Sequence, residues 1–184
     1  MRKVILFVAA SLDGFIAGPQ GQIDWLFTDQ DYGYAEFLAG IDTLLIGRKT
    51  YELMLTFDSW PYPDLKCYVF THQPDRWDDP RVVFTAGPVD ELVRDLRSGA
   101  DKNIWLVGGG ELVRDFMNAG LVDELILGLH PSVMGAGVPL FPPGTKRADL
   151  RLMEARPYES GMLMVRYALG RRRRGPRAAA PKTT

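Results

Sequence analysis

The sequence predicts an α/β layer structure with a mainly parallel central sheet, flanking helices and a C-terminal antiparallel hairpin. Three observations carry that prediction. Short apolar runs rich in β-branched residues recur along the chain without polar alternation, the pattern of strands covered on both faces. Helical stretches follow several of them, as crossovers between parallel strands require. The last two strand-like runs differ, because a turn at Gly161 joins them with no helix between.

Residues 4–10 form the first buried strand, and Asp13–Gly14 and the Gly18-Pro-Gln-Gly21 cluster mark the loop after it. Residues 34–40 fit a short helix with Phe37 and Leu38 inward and Gly40 as its stop. Residues 43–46 read as a second buried strand that ends at Gly47–Arg48, and residues 49–55 as the helix after it. Two short strands follow at 67–70 and 82–84. Residues 89–97 are amphipathic, with Leu92, Val93 and Leu96 on one side of a helix. An apolar strand at 103–107 runs directly into Gly108, Gly109 and Gly110 and a helix over 111–118. Residues 125–129 make a further strand, and 150–154 with 163–169 make the hairpin.

The chain has 184 residues, of which 46% are hydrophobic and 24% charged, so a disordered solvating chain is excluded. We read residues 1–170 as one domain and 171–184 as a basic, disordered tail. That tail carries Arg171, Arg172, Arg173, Arg174, Arg177 and Lys182 and no acid, which leaves the domain before it acidic. It has no aromatic residue to stack on bases, so nucleic acid is not expected as a partner. No apolar run reaches the length of a membrane span, and none is expected. Cys67 is the sole cysteine, so no intrachain disulfide forms, and the cytosol is the expected compartment. Cys67 with His72 and His130 cannot supply a zinc site, and no metal is expected.

Ligands of open α/β sheets bind at the carboxyl ends of strands. Three such ends carry suitable chemistry. Gly47-Arg48-Lys49-Thr50 combines close backbone approach, two cations and a helix start. Thr71-His72-Gln73-Pro74 gathers short polar groups in a turn. Gly108-Gly109-Gly110 exposes bare backbone between a strand and a helix. Neither the phosphate-loop nor the dinucleotide fingerprint is complete. On successive strand ends of one sheet, the three together point to a phosphate-bearing cofactor.

Five segments make the assignment specific. They are residues 8–17 (VAASLDGFIA), 44–52 (LLIGRKTYE), 66–74 (KCYVFTHQP), 104–110 (IWLVGGG) and 131–141 (PSVMGAGVPLF). In order and content they resemble the dihydrofolate reductase-like superfamily, and within it the riboflavin-biosynthesis reductase (RibD C-terminal) domain family. That resemblance implies a reductase taking hydride from NADPH, with NADH as the other possible donor. It implies that Gly47, Arg48, Lys49 and Thr50 line the cofactor's phosphates and that Thr71 and His72 sit near the adenosine ribose. Gly108, Gly109 and Gly110, with Glu111 and Leu112, would meet the pyrophosphate, with a cis peptide at Gly108–Gly109. Ala9 and Ile16 would touch the nicotinamide end, and Ser11, Asp13 and Trp25 the substrate. A homodimer is implied as well.

The same resemblance puts Asp31 where dihydrofolate reductases hold a catalytic carboxylate. Asp31 also suits a cap for a helix beginning near Tyr32, and both readings stand. As a catalytic acid it should be buried beside aromatic side chains. Glu111 stands where many of those enzymes have an arginine, so a preference for NADPH rests on Arg48, Lys49 and His72. Residues 51–60 lack the Asp-x-Pro-x-Leu motif and arginine of the riboflavin-pathway enzymes. The expected reaction is reduction of a small pyrimidine- or pterin-like heterocycle, similar to 5-amino-6-(5-phosphoribosylamino)uracil reductase. The alternatives are dihydrofolate reductase activity, or a non-catalytic nucleotide-binding protein that kept the fold.

Overall fold

The computed structural model describes residues 2–99 and 102–170; the basic tail lies outside them. In chain order the elements are β1 (Val4–Ser11), β2 (Phe15–Ala17), α1 (Tyr34–Ala39), β3 (Ile41–Gly47), α2 (Arg48–Met54), β4 (Lys66–Phe70) and a single 3₁₀ turn (Pro74–Arg76). They continue with β5 (Val82–Thr85), α3 (Val89–Arg97), β6 (Asn103–Gly108), α4 (Gly110–Ala119), β7 (Glu124–His130), β8 (Val138–Pro139), β9 (Leu150–Pro157) and β10 (Leu163–Leu169).

Eight strands form one sheet in the order β5-β4-β3-β6-β1-β7-β10-β9. The six strands from β5 to β7 run parallel, and β10 and β9 complete the sheet antiparallel. The parallel strands are apolar without alternation because each face has its own cover. Leu45, Ile104 and Leu106 point into a core closed by Val93 of α3 and Val113 and Phe116 of α4. Leu44, Ile46 and Trp105 point the other way, against Tyr51 and Met54 of α2 and the half-buried Phe37 and Leu38 of α1. Buried Glu124 fixes the antiparallel end to the rest, pairing with Lys3 at 2.5 Å and Arg166 of β10 at 2.5 Å. Its lowered pKa reflects a contest in which burial, the largest influence, raises it and the two cations prevail.

One feature departs from the sequence reading, and a second bears on a choice it left open. The small β2–β8 sheet was not expected, because strands of three and two residues inside Gly-rich loops show no periodicity. Asp31 is exposed rather than buried among aromatic side chains. Its Oδ1 accepts the Ala35 N–H at 3.0 Å, since the first turn of α1 has free donors and the pocket side does not compete for the carboxylate.

Candidate cofactor and substrate cleft

The carboxyl ends of β1, β3, β4, β6 and β7 share one edge of the sheet, because these strands are parallel. Between β3 and β6 the register slips: Leu45 faces Leu106 but Ile46 faces Gly108. This bulge brings Gly108 and Gly109 beside Gly47. A Cβ on Gly47 would sit 3.6 Å from the Gly108 carbonyl. The Gly108–Gly109 peptide is cis, as the resemblance implied. Thr50 Oγ1, in the first turn of α2, accepts the Gly109 N–H at 3.1 Å. Two of the three strand ends singled out from sequence are therefore joined by a direct hydrogen bond.

Gly110 opens α4, and a Cβ there would meet the Pro139 carbonyl of β8 at 2.4 Å. The N–H groups of Gly110, Glu111 and Leu112 precede the first intrahelical donor of α4, the Val113 N–H that bonds the Gly109 carbonyl, and so have no acceptor within the helix. Leu112 can offer only that backbone group, since its side chain is buried in the core among apolar neighbours. Glu111 is exposed in the same turn.

Thr71 and His72, just beyond β4, share a cleft of about 430 Å³ with Arg48, Glu52, Gln73, Arg76 and Trp77. Arg48 Nη1 lies 2.5 Å from Glu52 Oε1, one helical turn on. Lys49 is exposed in the first turn of α2, outside that lining. Arg76 and Glu52 were not among the sequence-based candidates. The spacing of Glu52 four residues after Arg48 was the available signal for one, and Pro74 opening a 3₁₀ turn for the other.

At the end of β1, Ser11 is fully buried, and its hydroxyl donates to Asp13 Oδ1 at 2.6 Å while accepting the Phe15 N–H at 3.0 Å. Asp13 also accepts the N–H groups of Met134 and Gly135, the latter at 2.7 Å. The Ser11 hydroxyl and these backbone donors hold its carboxyl at about 2, below its usual value. The Asp13 carboxylate ties the 11–14 loop to the 131–137 loop, and the Ser11 hydroxyl orients that carboxylate and the Phe15 N–H. Ala9 lies in β1 opposite Gly128, and Ile16 is half-buried on β2 against the core.

His130 ends β7 and is buried. The Phe27 N–H donates to its Nε2 at 3.1 Å, which leaves Nδ1 as the protonated nitrogen, 3.2 Å from the Gly128 carbonyl. Burial lowers its pKa, against the weaker opposing pull of Gly128. The Trp25 and Phe27 rings pack edge-on against it at 5.0 and 4.9 Å. Trp25 Nε1 is buried without a hydrogen-bond partner among the described residues, a costly arrangement for an indole N–H. The residues that follow Trp25 help line a hollow of about 380 Å³, formed by Leu26, Phe27, Thr28, Asp29 and Ser160. The Tyr32 hydroxyl donates to Asp29 Oδ1 at 2.6 Å and lies 2.8 Å from Ser160 Oγ, bridging this loop to the C-terminal hairpin.

The family model for the RibD C-terminal domain matches residues 2–164. The chain belongs to the RibD C-terminal domain family. The Bacillus subtilis (strain 168) protein YwjB, itself uncharacterized, is 42% identical over 155 residues, covering 82% of this chain and 89% of its own. A solved structure from Shewanella sp. PV-4, whose name connects it with riboflavin biosynthesis, superposes with a TM-score of 0.80 at 26% identity, covering 92% of this chain and 99% of that one. Dihydrofolate reductase from Enterococcus faecalis, solved with NADP(H) and RAB-propyl, gives a TM-score of 0.71 at 20% identity over 92% of this chain and 97% of its own, a likeness of fold. This RibD C-terminal domain therefore has a dihydrofolate reductase-like sheet and is reductase-like in family. Among the described residues no helix is long and apolar enough to cross a membrane.

Proposed function

We propose that this RibD C-terminal domain is an NADPH-dependent reductase of a small pyrimidine- or pterin-like heterocycle. The observation that carries the reading is the Thr50–Gly109 hydrogen bond, which joins the glycine turn to the helix that begins with Arg48. Arg48, Thr71 and His72 line one cleft, and that bond holds the bare backbone of Gly47 and Gly108–Gly110 beside the helix. The residues fit a dinucleotide: cations and short polar groups for a ribose phosphate, free helix N–H groups for a pyrophosphate, and a glycine at 110 where a Cβ would meet the Pro139 carbonyl.

Bound NADPH would supply the hydride, and the protein's part is to orient two rings and exclude water. In this reading Ala9 and Ile16 bound the nicotinamide end, and Ser11, Asp13 and Trp25 flank the substrate. His130 holds the backbone of Phe27 and so the wall of that pocket. Asp31, exposed and bonded to Ala35, serves as the start of α1, which separates this site from a dihydrofolate reductase that needs a pocket acid.

The test is binding of NADPH and NADH to the purified protein by calorimetry, beside an Arg48→Ala variant. NADPH should bind, and the loss of one charge-assisted contact should weaken it about tenfold to a hundredfold. If neither nucleotide binds, the reading fails.

We also propose a homodimer. β9 is the outermost strand, exposed along its whole length, with Leu150, Leu152 and Met153 open to solvent. Such an edge pairs readily with its own copy. Light scattering at micromolar concentration should give twice the chain mass, and a monomeric mass there excludes the dimer.

A further inference from the structure

We propose that Glu52 is a built-in competitor for the 2′-phosphate of NADPH, and that Glu52 and Arg76 together set how strongly the cleft prefers NADPH over NADH. The inference rests on the reading of this cleft as a nicotinamide cofactor site. Arg48 is the cation nearest the glycine turn, but its guanidinium is already engaged by Glu52 at 2.5 Å. Both side chains are part-exposed, at 42% and 39%, so their ion pair adds little to stability. Helix α2 does not need the pair, because buried Tyr51 and Met54 already fix it to the sheet. What the pair does is place a carboxylate inside the cleft, on the very cation a phosphate would seek.

The two cofactors meet that carboxylate differently. The adenosine ribose of NADH is uncharged at its 2′ position and can bind with the Arg48–Glu52 pair intact. NADPH brings a phosphate monoester of charge about −1.5 to −2, which must take Arg48 from Glu52 and then lie close to the displaced carboxylate. Arg76 offsets that repulsion. It reaches the same cleft from the 3₁₀ turn, and its guanidinium makes only a 3.4 Å contact to Gln73 Oε1. Arg76 is thus nearly uncommitted, and two guanidinium groups can grip one phosphate. Removing Glu52's charge should sharpen the preference for NADPH, and removing Arg76's should blunt it.

The experiment measures dissociation constants of NADPH and NADH for the full chain, for Glu52→Gln and for Arg76→Gln, at low and high salt. Melting temperatures confirm that the variants are folded. Glu52→Gln should raise the NADPH-to-NADH affinity ratio about fivefold, and Arg76→Gln should lower it about tenfold. Both shifts should shrink at high salt, because Arg76 is exposed and Glu52 part-exposed to solvent. Nucleotide binding with a ratio that neither substitution changes overturns this inference and leaves the cofactor site standing. No binding of either nucleotide overturns both. A Glu52→Gln ratio that falls shows that Glu52 supports the phosphate, contrary to the proposal.

Discussion

Gly110→Ala is expected to lower the melting temperature by roughly 6–12 °C and to abolish nucleotide binding. The added methyl would lie 2.4 Å from the Pro139 carbonyl, which is backbone and cannot swing aside as a side chain would. Relief requires α4 to move away from β8, and such overpacking against a rigid neighbour costs about 3 kcal/mol. The same movement withdraws the free N–H groups of the first turn of α4 from the glycine cleft. Gly87→Ala is the control: its nearest new neighbour is Thr85 Oγ1 at 3.8 Å, an ordinary contact. Calorimetric melting with NADPH titration decides the matter. A Gly110→Ala protein that melts with the parent and still binds nucleotide would show that β8 does not pack on the start of α4 as described.

The second large effect is expected at Ser11. Ser11→Ala removes the acceptor of the Phe15 N–H, and a part-buried donor left alone costs about 1–3 kcal/mol. It also removes the largest influence holding the Asp13 carboxyl at about 2. In the variant that pKa should climb toward the ordinary aspartate value of 3.8, which carboxyl titration by NMR reads directly. The sign for stability follows from linkage. Because the folded-state value is depressed, Asp13 contributes stability above the unfolded value near 3.8 and loses it as pH falls through about 2. Ser11→Ala should narrow that window, so acid unfolding of the variant should depend less on this carboxylate. An unchanged Asp13 pKa would sink the account of the 11–14 and 131–137 loops as one latched unit.

That latch explains why two distant stretches, residues 11–14 and 131–137, carry the family resemblance together: one supplies the carboxylate and the other the N–H groups it holds. Neither half shows its purpose alone in the sequence. The sheet was more legible, since strands covered on both faces are continuous apolar runs, and the helix over residues 89–97 matches α3 in full. Ends shifted by one or two residues where glycine or a cap decides them, as at Arg48, which begins α2. The β2–β8 pair escaped because its order comes from tertiary contact with α4 and β1, not from local pattern. In the cleft, glycine turns and cations at strand ends were readable. The geometry that decides their use was not, because Glu52 engaging Arg48 and Arg76 arriving on a 3₁₀ turn depend on side-chain direction. Asp31 was legible only as a choice: its position along the chain fits a pocket acid or a helix cap, and the exposed carboxylate accepting the Ala35 N–H accords with the cap.

The place of β1 in the middle of the sheet constrains how the protein is made. It pairs with β6, Ile5 opposite Trp105, and with β7, Ser11 opposite His130. The first strand of this sheet to be synthesised therefore waits for partners made much later, and the nascent chain cannot complete its sheet in the order of synthesis. Until residues 124–130 emerge, β1 presents an apolar segment with an open edge, a natural site for a chaperone and for aggregation if elongation stalls. Truncation before β7 should thus cost solubility well before it removes any residue of the glycine turn.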